Sequence, residues 1–539
     1  MLVLIGFVSI LFFAGCESFP DTEFYKLDVP PQKTHEIDSF DLKTHRTETP
    51  PEIPSVLELP AEPPEKLELA LDQCRALALE NNLDIKVQLL NPTIVKESVN
   101  EARAQFEPSF SSNFSYEKID QPVDEFPDIG GSQRDVSYAD LGVDIPLQTG
   151  GSISFNLADS RTKTSFGGAV FNPFYATGTG VSISHELLRG AGVRTNTHLI
   201  RIAEYDKRKV DAKTKLEIIS VIAAMDRVYW RLYAADMLLK VRLQQHELAK
   251  AQLQRAQRFV DAGQQAQIEI NRAEAGLAQS LESIILAHND LLDRQRELKR
   301  VLNKSGLELN GPTAIVPATE PNPIHYTFNT EHLLAEAIDK RMEIIQWELD
   351  IASNISKIHY LRNQALPQIS MQYTYNVHGL GPTRSDSYDL LQDNNFADHR
   401  IGLSLLVPLG NEAAESRLRA AYATRIQTLA SKENQRKMIE VEVLDALDQL
   451  ESNWQRILAA RQNTILQERL YQAEIRQFEN GLTTSTDVLQ AQTDFADAQS
   501  TEINALAEYQ IALVDLAYAT GTLLGAAQVE WEPIVPAIP

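Results

Sequence analysis

The sequence predicts a mainly α protein with membrane β-structure, built from tandem helix–strand repeats that close into a tube with further copies of the chain. Three observations predict it. The chain repeats itself: Gly263, Ala273, Leu277, Leu298 and Asn303 return as Gly481, Ala491, Phe495, Leu516 and Gly521, all 218 residues on, and Leu83, Pro108 and Tyr116 return as Met342, Pro367 and Tyr375, all 259 on. A period-two alternation of apolar and polar residues follows each matched proline. Two stretches, 191–260 and 411–479, contain no proline; each is long enough for a helix of about 70 residues, roughly 100 Å at 1.5 Å per residue. A duplicated unit of this kind buries its apolar faces best against copies of itself.

Composition narrows the function. The 539 residues carry a formal net charge of -24 and no basic cluster, which argues against a nucleic-acid partner. Residues 1–15 are uncharged and run apolar up to Ala14-Gly15-Cys16. A run this short reads as a signal peptide, not a spanning helix. Small residues directly before a cysteine resemble a bacterial lipobox, although Phe13 stands where leucine is usual and no basic residues precede the run. Cys16 is therefore the expected lipidation site, and Glu17 after it is compatible with the outer membrane. An ordinary cleaved signal with an incidental cysteine is the alternative. Cys74 is left without a disulfide partner.

Residues 16–64, with Pro30-Pro31, Pro50-Pro51 and Pro63-Pro64, read as anchor and extended tether. The first repeat is expected over 65–303, a linker over 304–330, the second repeat over 331–525, and a tail over 526–539. Residues 66–106 carry a helical pattern (Leu67, Leu71, Leu77, Leu83, Val87, Leu90) that Pro92 should perturb; its partner is 331–366. Pro108 and Pro367 end these helices. Strands are expected at about 109–118, 179–187, 368–377 and 400–409. The first repeat carries an extra hairpin signal, 138–147 and 151–159 around Gln148-Thr149-Gly150-Gly151, where the second has a loop at 379–398. These strands suit an apolar-out, polar-in membrane barrel. A half-buried soluble sheet has the same period, and the signal peptide and long flanking helices favour the membrane.

Leu216, Ile219, Ala223, Trp230, Tyr233 and Met237 space out a coiled-coil-like seam, as do Leu447, Leu450, Trp454 and Ile457. Both tryptophans read as packing residues. Gly263 and Gly481 fit the left-handed residue that ends a helix, and Ser485 and Thr486 are candidate N-caps for the next one. Returning helices are expected at about 264–303 and 482–524.

This order of elements, with Phe478-Glu479-Asn480-Gly481-Leu482-Thr483-Thr484-Ser485-Thr486-Asp487-Val488-Leu489-Gln490-Ala491-Gln492-Thr493 and the ending Leu516-Ala517-Tyr518-Ala519-Thr520-Gly521, resembles the TolC-type outer-membrane efflux factors over about 66–525. The resemblance implies a homotrimer with an α-helical periplasmic barrel and an outer-membrane β-barrel. It implies an exit duct for efflux or type I secretion, working with a periplasmic adaptor and an inner-membrane pump. It assigns adaptor docking to Gly481, Leu482 and Thr483 and, by repeat, to Gly263, Gln264 and Gln265. If the extra hairpin joins the barrel, a trimer would have 18 strands instead of 12; the alternative is a hairpin projecting outside the cell. Glu269 and Asp487 each lie six residues past a tip glycine, and the resemblance makes them acidic rings of a periplasmic gate. Gln490, where some members have a second acid, implies a weaker constriction. Clustered carboxylates would raise each other's pKa and attract cations. An acid in the first turn of a helix is equally explained by the helix dipole.

No HExxH, Walker A or G-x-S-x-G pattern occurs, and no histidines pair at metal-ligand spacing. Neither an enzyme nor a cofactor or metal site is expected. The competing reading is a lipid-anchored periplasmic coiled coil that conducts nothing, which would need neither the strands nor their alternation.

Overall fold

Each repeat opens with a helix that breaks at a matched place. In the computed structural model, which describes residues 65–120, 133–165 and 168–528, helix α1 (Leu71–Asn81) gives way at Asn82 to α2 (Leu83–Ala104). In the second repeat α6 (Thr330–Lys340) gives way at Arg341 to α7 (Met342–Gln364). Asn82 and Arg341 are extended at ψ 129 and ψ 125, and they are 259 residues apart. The single helix expected over 66–106 is thus two helices, and the break is not at Pro92, which is buried inside α2.

Side chains explain the break. The Asn82 carboxamide accepts from Ile85 N at 3.1 Å and donates to Val301 O at 2.9 Å. Arg341 Nη1 donates to Ala519 O at 3.1 Å and also pairs with Glu442 at 2.8 Å. Val301 and Ala519 are themselves repeat equivalents, in the last turns of the two returning helices. One latch, made with different chemistry in each repeat, satisfies a carbonyl that the returning helix leaves open.

A feature not anticipated in the sequence precedes α1. Strand β1 (Glu65–Leu69) pairs in parallel with β6 (Thr313–Pro317), so the expected linker contributes a strand. Tyr229 OH donates to Leu69 O at 3.1 Å and accepts from Thr319 N at 2.9 Å, which seats this pair on the first long helix.

The other six strands form one antiparallel sheet in the order β2 (Ser109–Asp120), β3 (Gln133–Leu147), β4 (Gly151–Thr164), β5 (Phe174–Glu186), β7 (Gln368–Gly381), β8 (Ala397–Leu406). The hairpin β3–β4 is inserted between the two strands of the first repeat. Strand β8 starts three residues earlier than expected and stops at Leu406, leaving Leu409 almost fully exposed. The loop expected at 379–398 holds a short helix, α8 (Arg384–Gln392), lying on β5 and β7. Gly379 permits this, since a Cβ there would stand 2.0 Å from Ser387 O.

From the sheet run two long helices, α4 (His198–Asp261) and α9 (Glu412–Glu479), of 64 and 68 residues, with a short turn α3 (Val193–Asn196) before the first. The returning helices are α5 (Ile268–Leu302) and α10 (Ser485–Ala519), the latter followed by the short α11 (Leu523–Ala526). Next to the sheet α2, α4, α7 and α9 lie side by side; farther away α5, α4, α10 and α9 do. Trp230 is buried with Tyr229, Cys74 and Leu298, and Trp454 packs beside Tyr509, as the seam spacing predicts. Burial pushes the Cys74 thiol up to about 12, and it is a free cysteine. Among the described residues no helix is long and apolar enough to cross a membrane. Cys16, the expected signal peptide, the whole of the expected tether and the end of the tail lie outside the described residues.

Candidate functional site

The two long helices turn back at equivalent tips. Gly263 and Gly481 have φ +70° and +72°, a conformation glycine adopts without the Cβ penalty of other residues. Gln264 N donates to Phe259 O at 2.8 Å, and Leu482 N donates to Gln477 O at 2.9 Å. These are the same bond 218 residues apart, the six-residue closure that satisfies carbonyls at a helix end. Open space surrounds both glycines. Gln264 and Leu482 are exposed, and Leu482 is 75% accessible, a large apolar side chain offered to solvent. Gln265 and Thr483 each bury a side-chain oxygen with no partner.

Behind the tips a small core holds the hairpins together. It contains Ala256, Ala273, Tyr471, Phe478, Val488, Ala491 and Phe495. Phe259 meets Phe478 edge-on at 5.9 Å, and Tyr471 stacks on Phe495 at 6.1 Å. Close approach of α5 and α10 depends on Gly276, where a Cβ would stand 2.5 Å from Leu489 Cδ1.

Glu269 and Asp487 are equivalent in sequence and differ in position. Asp487 is exposed, and its Oδ2 accepts from Thr484 N at 2.9 Å and Thr484 Oγ1 at 2.7 Å. Thr484, not Ser485 or Thr486, is therefore the N-cap of α10. Those bonds, the backbone one first, hold the Asp487 carboxyl below its usual range within one chain. Hydrogen bonds to the charged form outweigh the small desolvation. Glu269 is buried, at 8% accessibility. Its Oε2 accepts from Ser485 N at 2.7 Å, and its Oε1 pairs with Arg272 at 2.5 Å. It thus caps the first turn of α10, the helix of the other hairpin. Gln490 donates to Asp494 at 2.8 Å. Arg272 completes the Glu269 link, an acid and a base three residues apart on one helix.

Nearer the sheet, Arg75 clasps Asp226 through two bonds, Nε–Oδ1 at 3.0 Å and Nη2–Oδ2 at 2.7 Å. The Asp226 side chain is wholly buried. Burial pushes its carboxyl upward, against the pull of Arg75. Among the described residues no group of His, Cys, Asp or Glu is arranged to hold a metal ion.

Two broken-helix repeats, a six-stranded sheet and hairpin tips at the far end define a class: tandem helix–strand repeat proteins whose chains are mostly helix. The chain matches the family model for outer membrane efflux proteins over residues 75–304 and 333–522, and it belongs to that family. It is 23% identical over 349 residues to outer membrane protein TolC of Vibrio cholerae, covering 64% of this chain and 76% of that one. Its fold is similar to that of the outer-membrane channel OprN, with a TM-score of 0.61 at 17% identity over 84% of this chain and 89% of that one. The Campylobacter jejuni CmeC outer membrane channel is similar at a TM-score of 0.61 and 15% identity, covering 84% and 86% of the two chains.

Proposed function

We propose that three copies of this chain form the exit duct of an export system in the outer membrane, receiving cargo from an inner-membrane pump through a periplasmic adaptor. The observation that carries this reading is the sheet. One face is apolar along a row such as Ile145, Ile153, Ile183, Tyr373 and Ile401; the other is polar along Asp144, Ser154, Ser182, Thr374 and Arg400. The outer edges of β2 and β8 are unpaired in one chain, and nearly all their residues are exposed. Within a bilayer such edges must be closed by further strands. Three chains, each laying four helices abreast, make a ring of twelve helices below the barrel.

The test is migration on a gel before and after heating, with conductance in planar bilayers. A stable oligomer that conducts is expected; a non-conducting species would leave the coiled-coil spacer as the better reading. Lipidation at Cys16 after removal of residues 1–15 belongs to the same proposal, and the mass of the mature N-terminus checks it.

The tips are the proposed adaptor contacts, through Gly263, Gln264 and Gln265 and through Gly481, Leu482 and Thr483. Glu269 and Asp487 form the proposed gate, with Asp487 the larger contributor because it is exposed while Glu269 is committed to Ser485 and Arg272. Single-channel recording of Asp487→Asn with Glu269→Gln should show weaker cation selectivity and weaker divalent block. Unchanged traces would reduce both acids to helix-capping residues.

A further inference from the structure

We propose that the inserted hairpin β3–β4 is part of the channel wall and widens the membrane section until it matches the helical tube beneath, so that the barrel does not act as the size filter. The inference rests on the duct reading above and concerns what this chain adds to it.

The hairpin is paired on both sides. Strand β3 is in register with β2 from Ser109↔Asp144 to Asp120↔Gln133, and β4 with β5 from Gly151↔His185 to Thr162↔Phe174. The apolar row crosses it without interruption: Phe110, Val143, Phe155, Val181 and Tyr375 are successive neighbours. A hairpin projecting into water would not need an apolar face continuous with both flanking strands. Its turn is fixed at the helical end of the sheet. Glu186 N donates to Gly150 O at 2.9 Å and Gly192 N to Thr149 O at 2.8 Å. A side chain at Gly150 would collide with Gly190 O at 2.1 Å.

The widths then decide. Four helices abreast occupy about 32–40 Å at interaxial distances of 8–10 Å. Six strands tilted by about 40° occupy about 37 Å along the circumference, and four would occupy only about 25 Å. The insertion therefore brings the sheet to the width of the helical layer from which it grows. Closed by three chains, six strands each give a barrel about 36 Å across between backbones, against about 24 Å for four each. Allowing about 5 Å a side for side chains, the free bore is about 26 Å instead of about 14 Å. A bore of that width passes two helices side by side, each about 10–12 Å in diameter.

Imaging of the intact assembly in lipid by electron microscopy counts the strands directly, and 18 are expected. A wall of 12 strands with the hairpin outside it would overturn the proposal. Neutral polymers added on the extracellular side of a planar bilayer report the bore from that end alone. Polymers about 20 Å across should enter the intact channel and be excluded after deletion of residues 133–164, with the area of the membrane section falling about twofold. Equal exclusion by both proteins would also overturn the proposal. If the deletion does not assemble, the strand count on the intact chain decides. A protein that forms no channel at all would sink the duct reading itself, an outcome separate from a channel with 12 strands.

Discussion

Where the first repeat buries Arg75 against Asp226, the second has Leu334 and Leu444 at the equivalent positions. Where the first latches Val301 O with an asparagine, the second latches Ala519 O with an arginine. At the tips, Asp487 caps its own helix while Glu269 reaches across to cap the same one. What survived duplication is backbone geometry: the two glycines at positive φ, the break 259 residues apart and the open carbonyls. What diverged is the side chain that satisfies each backbone group. A helix end requires a partner, and several residue types can supply one.

The largest expected break in this comparison is Arg75→Ala. It leaves Asp226 buried and uncompensated, at a cost of about 3–5 kcal/mol. Leu334→Ala, at the matching place in the second repeat, loses only part of an apolar contact and should cost less. Denaturant unfolding of the full-length protein compares them; equal losses would mean that the first-repeat pair is not stabilising its site. The pH sign is fixed by burial. Because the folded-state pKa of Asp226 is raised, its contribution to stability falls as pH rises through the window from the unfolded value to that raised value. Arg75→Ala should therefore be milder at acid pH than at neutral pH.

Next comes the tip. Glu269→Ala strands the buried Ser485 N–H and Arg272, a loss of about 1–3 kcal/mol. Asp487→Ala removes an exposed cap, worth about 1 kcal/mol. Amide exchange in the first turn of α10 should speed up more in the first variant than in the second. The reverse order would show that the reach across hairpins matters less than the local cap.

Gly263→Val and Gly481→Val sharpen the symmetry itself. Each forces a β-branched residue into the left-handed region, at about 1–2 kcal/mol, and neither meets a neighbouring atom. The two losses should be alike in thermal unfolding, with the barrel still assembled. Export that survives the change at both glycines would place adaptor docking elsewhere.

The smallest effect is the pH response of Asp487. Its folded-state pKa is depressed, so its cap is in place above the unfolded value and is lost as pH falls through the folded one. Protection of the α10 amide protons should decline there in the wild type and not in Asp487→Asn. The two carboxylates therefore predict opposite signs: acid weakens the exposed tip and relieves the buried Asp226.

The local plan was legible in the residues. The repeats, the two helix-ending glycines, the strands after Pro108 and Pro367, the extra hairpin and the long uninterrupted helices all follow from short-range rules. Periodicity, proline's missing N–H and glycine's freedom at positive φ act within a few neighbours, so sequence alone determines them. Tertiary structure decided the rest. Pro92 reads as a disruption, yet the helix breaks at Asn82 because the carbonyl that Asn82 satisfies belongs to Val301, more than two hundred residues away. The parallel pair of Glu65–Leu69 with Thr313–Pro317 joins the start of a stretch that reads as helix to one that reads as linker. Glu269 and Asp487 are indistinguishable by offset; only packing of one hairpin against the other buries the first and leaves the second in water. The hairpin around Gly150 was evident as a hairpin, but its place inside the sheet is settled by hydrogen bonds to strands on both sides and by the turn's seat on Gly190 and Gly192. Sequence fixes what each segment prefers to be, and long-range contacts, whose partners no local pattern names, fix which groups meet.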